Sequence, residues 1–529
     1  MAPWMHRWKA SRSALPARIA GAALCGLLLA LAFAPHDWWW GLPVAVAGLT
    51  VCCRGLRPPA GFVVGLVFGL CFILLLMPWL RVIGSDAWVA LSVLEAVFYG
   101  LLGAVLTLVV RLPLWPVWAA AAWVGAEQLR STVPFGGLPW GRLAFALGDT
   151  PMAAYARLGG VALLTAAAAL LSNLLLALVD QVASGRLIGR EPDGRAGSAI
   201  GAAGYTAAAV AVVAVGAVLP VSGPGSPQVV VAAVQGNVPG SGLTAFSERR
   251  AVLDNHTAAT HQLAADVRDG TVPAPDLVIW PENSTDIDPF SDAAARASIQ
   301  GAVSDIGVPT LVGAVVDGPD ANHVQNMGVV WDPTSGPGER YVKRHPVPFG
   351  EYIPFRDLLT TFIDRLSQIP KDFARGTRPG VLRLGDTTIG DVICFEVAYD
   401  GLLRDVVNGG AQLVVVQTNN ATYLGTGQLA QQWEITKLRA IELGRSVVVA
   451  STDGISGMVG PDGTVLAQSQ PATRALLVQP VTLDSGVTPA VRYGSVIEWT
   501  TSLVAVVAAV AGVFLGRRRR SVEPEVSRR

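Results

Sequence analysis

The chain has 529 residues, 51% of them apolar and only 15% charged, with a formal net charge of zero. A soluble domain carries about 25% charged residues, so much of this chain is built for lipid. The lack of a basic excess argues against nucleic acid as a partner.

Long apolar runs come first, near 15–34, 37–53, 60–80, 86–110, 114–130, 154–180 and 198–220. Each approaches or exceeds the ~20 residues needed to cross a bilayer. Pro43 and Pro116 interrupt the second and the fifth. No processing-like break separates the runs, which argues against a cleaved signal peptide. A polar, Gly-rich stretch at 181–197 reads as a loop, and one further apolar run, about 500–516, lies near the C-terminus. The expected organisation is a membrane domain over 1–224 with about seven transmembrane helices, a soluble domain over 225–490, and a final transmembrane helix with a basic tail over 491–529.

Loop charges predict the orientation. Arg7, Lys9, Arg12 and Arg18 precede or open the first run, Arg54 and Arg57 follow the second, and Arg111 follows the fourth. Arg186, Arg190 and Arg195 follow the sixth, and Arg517–Arg520 follow the last. Seven spans, a domain and one span put all of these on one side, the cytoplasm. The 225–490 domain is then extracytoplasmic, with both termini cytoplasmic. Arg81, Arg130 and Arg142 fall on the other side and are the exceptions. Arg142 follows Pro134-Phe135-Gly136-Gly137-Leu138-Pro139-Trp140, a loop that reads as built for the membrane surface. The arginine run reads as a positive-inside anchor rather than a nucleic-acid patch.

The soluble stretch alternates strand and helix patterns. Strands are expected at Val229–Gln235, Leu277–Trp280, Thr310–Val316, Gly328–Trp331, Thr388–Cys394, Leu413–Gln417 and Val447–Ala450. Helices are expected near 246–268, 291–306, 397–408 and 428–443. Several strands are unbroken apolar runs, as in sheets buried on both faces, so the pattern predicts an α/β layered fold.

Chemistry concentrates at three strand ends. Leu277-Val278-Ile279-Trp280-Pro281-Glu282 holds a carboxylate at the rim of a strand, although a surface turn reads the same way. In the segment from Tyr341 to Phe355, Pro346, Pro348, Gly350 and Pro354 rule out a helix. This rigid loop presents Lys343 and Glu351 beside the aromatics Phe349, Tyr352 and Phe355. The third segment, Ile389-Gly390-Asp391-Val392-Ile393-Cys394-Phe395-Glu396, puts a thiol where a strand turns into a helix. Four of the five cysteines (Cys25, Cys52, Cys53, Cys71) lie in apolar runs, which leaves Cys394 solitary in the soluble part. A solitary thiol is either a small buried hydrophobe or a nucleophile. A helix N-terminus and a cation such as Lys343 would lower its pKa.

The combination is more specific than its parts. A Trp-Pro-Glu strand end, a Lys loop and a Cys strand end, in that order, resemble the nitrilase superfamily. That resemblance implies an αββα sandwich. It also implies Glu282 as general base, Lys343 as stabiliser of the tetrahedral intermediate and Cys394 as the nucleophile that holds an acyl group. With the membrane spans added, nearly the whole chain is similar to the apolipoprotein N-acyltransferase family. Further motifs are Val234-Gln235-Gly236-Asn237-Val238-Pro239, Thr418-Asn419-Asn420-Ala421, Arg439-Ala440-Ile441-Glu442-Leu443-Gly444-Arg445, and Glu127-Gln128-Leu129-Arg130 through Pro139-Trp140. The resemblance makes Glu351 and Glu396 supporting carboxylates, with Asn326 a further contact and Tyr423 an aromatic gate. Phe395 stands where the family often has Tyr, and Thr422-Tyr423 where many members have Trp-Phe. The implied partners are a membrane phospholipid as acyl donor and a diacylglyceryl lipoprotein as acceptor. The enzyme is expected in the bacterial cell membrane, as a monomer.

No cofactor is expected, and no His, Cys and Asp cluster, His345 included, has metal-ligand spacing. A membrane-anchored amidase would use the same triad with water as acceptor, and the aromatic surface near Trp140 and Phe349 argues for lipid instead. A transporter or receptor would place ionisable residues in several spans; Glu95 and Glu127 are the only convincing ones.

Overall fold

The computed structural model describes residues 14–183, 197–219, 227–240, 250–361, 366 and 370–521. Arg7, Lys9, Arg12, Arg186, Arg190, Arg195, position 220 and residues 246–249 of the second domain's first helix lie outside them. Two compact units emerge: Met1–Leu219 with Tyr493–Arg529, and Pro220–Arg492.

The first unit is helical: α1 (Leu15–Leu31), α2 (Gly41–Cys53), α3 (Pro58–Leu76), α4 (Ser85–Val109), α5 (Trp115–Arg130), α6 (Ala154–Ala183) and α7 (Gly197–Val218), joined by most of the last helix, Pro489–Ser521. Among the described residues, four segments are long and apolar enough to cross a membrane: Pro58–Leu76, Ser85–Val109, Pro151–Ala183 and Pro489–Leu515. Shorter apolar helical stretches are Leu15–Leu31, Gly41–Cys53 and, within α7, Ala203–Val218. The 13 residues of α2 rise about 20 Å, less than the ~30 Å of a hydrocarbon core.

Helices α3 and α4 touch through glycines. A Cβ on Gly65 would lie 2.1 Å from the Tyr99 carbonyl oxygen, and one on Gly103 would lie 2.2 Å from that of Gly61. Small residues of this kind let two backbones close in lipid, where the hydrophobic effect supplies no attraction between helices.

The buried ionisable groups Glu95, Glu127, Arg130 and Arg142 of this unit are paired. Arg130 donates to Glu95 at 3.0 Å and to the carbonyls of Leu138 and Trp140. Glu127 accepts from the Leu143 N–H and the Thr165 hydroxyl, both at 2.8 Å, and has Arg142 at 3.5 Å. Two expectations change. Trp140 is 1% exposed and packs edge-on against Trp79, so it is core rather than membrane surface. Arg130 and Arg142 are buried against carboxylates, so they are not the free loop charges that a positive-inside count assumes.

The second unit is two sheets between two layers of helices. Its strands are β1 (Gln228–Gln235), β2 (Leu277–Ile279), β3 (Thr310–Asp317), β4 (His323–Asp332), β5 (Gly336–Val342), β6 (Asp372–Phe373), β7 (Val381–Leu384), β8 (Thr387–Ile393), β9 (Leu413–Thr418), β10 (Val447–Ser451), β11 (Gly457–Val459), β12 (Val465–Gln468) and β13 (Ala475–Thr482). Its helices are α8 (Ala251–Arg268), α9 (Ala293–Ile306), the single turn α10 (Arg356–Leu359), α11 (Asp400–Asn408) and α12 (Gln428–Leu443); α13 (Pro489–Ser521) follows. One sheet runs β13-β1-β2-β3-β4-β5, with β6 beside β4, and the other runs β12-β11-β10-β9-β8-β7. Helices α8 and α9 pack on the first sheet around Trp280, Ile299, Val312 and Trp331. Helices α11 and α12 cover the second. This is the αββα sandwich the resemblance implies.

The central strands β8, β9 and β10 are parallel, so their C-terminal ends, with Ile393 and Thr418, lie along one rim. The neighbouring sheet brings Trp280 to its own rim through β2, parallel to β1 and β3. Strands β5, β7 and β11 to β13 carry no apolar alternation strong enough to predict them. Beta5 begins Gly336-Pro337-Gly338, and β13 contains Pro480.

Replacing Gly65 by Val should separate α3 from α4 and destabilise the helical unit by about 1–3 kcal/mol. Gly204→Ala, at an exposed helical site with open space around it, should be neutral or slightly stabilising. Thermal unfolding in detergent distinguishes the two.

Candidate active site

The three strand ends meet. Lys343 follows β5, and its Nζ lies 3.0 Å from Glu282 Oε1 and 2.8 Å from Glu351 Oε1. Lys343 is 2% exposed and Glu282 4%, so water screens little of this charge. Asn326 on β4 donates from Nδ2 to both carboxylates, at 2.6 Å to Glu282 and 3.1 Å to Glu351. Glu282 Oε2 accepts the Asn419 backbone N–H at 2.8 Å, and Glu351 Oε2 accepts that of Val347 at 2.7 Å. Each carboxylate is therefore held at both oxygens.

Cys394 directly follows β8. Its φ of 57° is left-handed, a conformation that costs a non-glycine residue about 1–2 kcal/mol. It opens a five-residue 3-10 turn, Cys394–Ala398, rather than the α-helix expected from 397; α11 begins only at Asp400. The expected helix N-terminus is therefore not at the thiol. Thr418 Oγ1 donates to the sulfur at 3.3 Å and accepts in turn from Gln432 Nε2 at 3.0 Å.

Glu396 fixes the strained turn. This fully buried carboxylate accepts from the Tyr341 hydroxyl and from the backbone N–H groups of Ile393, Arg344 and His345. It ties the Lys343 loop to the Cys394 turn. From the other side, Arg439 donates to the carbonyls of Val397 and Ala398, at 2.9 and 2.7 Å. The Phe395 and Tyr423 rings meet edge to face, 6.4 Å apart, with Phe395 buried and Tyr423 half-buried.

Electrostatics sets the resting state. Burial, helped by the Glu282 anion, pushes the Cys394 thiol up to about 12, against Lys343 and the Thr418 hydrogen bond, which pull it down. Lys343 lowers the thiol pKa as expected, but desolvation wins. Burial opposes the charge on Lys343 as well. There Glu282, Glu351 and Cys394 outweigh it and hold the ammonium well above the ordinary lysine value. At rest the site holds a thiol, not a thiolate, beside a lysinium.

Sequence comparison agrees with this geometry. The family profile "Apolipoprotein N-acyltransferase N-terminal domain" matches residues 25–174, and "Carbon-nitrogen hydrolase" matches residues 230–492. A relative from Mycolicibacterium smegmatis named apolipoprotein N-acyltransferase is 41% identical, over 93% of this chain and 83% of its own. The chain belongs to the apolipoprotein N-acyltransferase family. It is an acyltransferase of the carbon-nitrogen hydrolase superfamily, bound to the membrane. A Ralstonia nicotianae member of the same name is 32% identical, covering 94% of this chain and 93% of that one. Among solved structures, an amidase from Nesterenkonia sp. aligns at TM-score 0.36 and 20% identity, over 50% of this chain and 94% of its own; that likeness adds nothing to the sequence relatives.

All eight residues singled out in the sequence lie in this second unit, and Glu282, Lys343, Glu351, Asn326 and Cys394 share one electrostatic cluster. Glu396 and Phe395 flank the thiol in sequence, and Tyr423 packs on Phe395. Sequence reasoning missed Tyr341, Thr418 and the Asn419 backbone N–H. Tyr341 and Thr418 sit in segments already quoted, but only the strand register says which way they point. A backbone donor carries no side-chain signature at all. Among the described residues no group of His, Cys, Asp and Glu could hold a metal ion.

Glu282→Gln should separate two readouts. Removing the anion lowers the thiol pKa from about 12, so alkylation of Cys394 by iodoacetamide at a fixed alkaline pH should speed up. Acyl-enzyme formation should instead fall about 10²–10⁴-fold, the usual worth of a general base. Slower alkylation would contradict the coupling.

Proposed function

We propose that Cys394, Glu282 and Lys343 carry out a two-step acyl transfer, from a membrane phospholipid to the α-amino group of a diacylglyceryl-cysteine that begins a lipoprotein. The observation that carries this reading is Lys343 clamped between Glu282 and Glu351, with the buried, protonated Cys394 within electrostatic reach.

In the first step Glu282 takes the thiol proton as sulfur attacks the ester carbonyl. Two carboxylates and one lysinium give the site a charge of −1. A free thiolate would make it −2, whereas proton transfer to Glu282 keeps it at −1. Concerted transfer is therefore favoured over a preformed thiolate. Lys343 faces the oxyanion of the tetrahedral intermediate. The S–C bond forms, the ester C–O bond breaks, and Glu282 returns the proton to the departing lysophospholipid oxygen. In the second step the amine attacks the thioester, its N–C bond forms, and the S–C bond breaks. Glu282 accepts the amine proton and passes it to the thiol. Glu351 and Asn326 hold Lys343 and Glu282 in register through both steps. Glu396 acts at one remove, by holding the turn and the loop. Phe395 and Tyr423 line the approach for the acyl chain.

Exposed Phe349 and Phe355 on the Lys343 loop and Leu358 on α10, together with the four helices among the described residues able to cross a membrane, support lipid substrates. The loop charges support an extracytoplasmic catalytic unit with cytoplasmic termini. One chain supplies the whole constellation, which supports a monomer.

The test uses the full-length enzyme reconstituted with labelled phospholipid and a diacylglyceryl-cysteinyl peptide. A hydroxylamine-labile acyl-enzyme should form without peptide and discharge onto the peptide amine. Lys343→Ala should cut both steps by roughly 10² or more. Discharge to water alone would favour the amidase.

A further inference from the structure

Asp391 lies on β8, three residues before Cys394, and the reaction above gives it no role. Its side chain is fully buried, and neither carboxyl oxygen receives a hydrogen bond. The amide oxygen of Gln417, equally buried, receives none either. In the parallel β8–β9 register Asp391 pairs with Val415 and Ile393 with Gln417, so the two side chains emerge on one face. That face meets β4 at Gly328. A Cβ there would sit 2.1 Å from Asp391 Oδ2 and 2.6 Å from Gln417 Oε1. The two unsatisfied oxygens crowd one point, in the space that the missing side chain leaves.

Two buried acceptors face each other stably only if one carries a hydrogen. Gln417 cannot supply it by flipping, because its Nε2 donates to the Trp280 carbonyl at 2.6 Å. The hydrogen must come from Asp391. Its titratable neighbours agree. Burial, Glu396 and Glu282 all push the Asp391 pKa well above the ordinary carboxylate range, and the nearby Tyr341 phenol is itself pushed up.

We propose that Asp391 is held as a carboxylic acid that donates to Gln417 Oε1, and that this pair is a positioning device for Glu282. The chain of contacts is short. Asp391 orients the Gln417 amide, the amide grips the Trp280 carbonyl, and Trp280-Pro281 carries Glu282. The next two residues, the last of β9 and the one after it, complete the link, since Thr418 bonds the Cys394 sulfur and Asn419 N–H bonds Glu282. The proton on Asp391 is not one that the reaction moves. The inference rests on Glu282 as the base.

Asp391→Asn keeps the shape and supplies an N–H donor, whereas Asp391→Leu keeps only the volume. In the full-length reconstituted enzyme, the infrared difference between wild type and Asp391→Asn at neutral pH should show a carboxylic-acid C=O band. Asp391→Asn should keep a near-wild-type rate of acyl-enzyme formation, and Asp391→Leu should lose roughly tenfold or more, with KM for phospholipid unchanged. The folded chain holds this proton more tightly than the unfolded chain. The associated stability is therefore full below the ordinary aspartate pKa and falls as pH rises. Asn has no such dependence, so the Tm of Asp391→Asn should exceed wild type by a margin that grows with pH. Absence of the acid band, or an Asp391→Asn enzyme as slow as Asp391→Leu, overturns the proposal. An active Glu282→Gln enzyme that keeps the band would instead overturn the base assignment.

Discussion

Lys343 is a buried cation between a buried carboxylate, Glu282, and a partly buried one, Glu351, and the catalytic unit is arranged around that triplet. A lysinium at 2% exposure persists only where opposite charge compensates for lost water, and Glu282 and Glu351 do this at 3.0 and 2.8 Å. The carboxylates in turn need donors, which Asn326, Asn419 and Val347 provide. Removing one member would leave an uncompensated charge in a dry interior. The triplet therefore fixes the relation between the rim of one sheet, which carries Glu282, and the loop that carries Lys343.

The thiol is the neutral fourth member of the cluster. Burial, helped by the Glu282 anion, keeps it protonated, and the left-handed turn at Cys394 holds the sulfur at the end of β8. Glu396 offsets the strain of that turn by accepting backbone donors from both the turn and the Lys343 loop. One buried carboxylate thus couples the thiol to the cation. The helical unit obeys the same rule, with Arg130 on Glu95 and Glu127 on Arg142 inside an apolar bundle. Those pairs hold the 134–140 loop inward and leave few isolated charges of the kind a transport pathway requires.

Much of this was legible in the sequence, for definite reasons. Strands such as Leu413–Thr418 are buried on both faces and read as unbroken apolar runs. Glu282, Lys343 and Cys394 stand at strand ends bounded by Pro281, Pro346 and a sharp turn, and such punctuation survives without coordinates. Other features left no pattern. Gly336-Pro337-Gly338 hides an edge strand. Trp140 read as a surface aromatic because its loop is rich in Gly and Pro, and its burial follows from Arg130 gripping the loop's carbonyls. The thiol's high pKa reversed the expectation drawn from a neighbouring cation, because burial is a property of the packed sandwich. The convergence of Asp391 and Gln417 beside Gly328 is also invisible in the sequence, since it depends on a glycine some sixty residues from Asp391 on the opposite sheet.

On the proposed mechanism Cys394 itself carries the acyl chain. Mass spectrometry of peptides from full-length enzyme, quenched in acid after exposure to phospholipid alone, tests it most directly. The expected result is an acyl mass on the peptide containing Cys394, lost on hydroxylamine treatment and absent from the Cys394→Ser protein as a thioester. An acyl adduct on any other residue, with Cys394 unmodified while transfer proceeds, would contradict it.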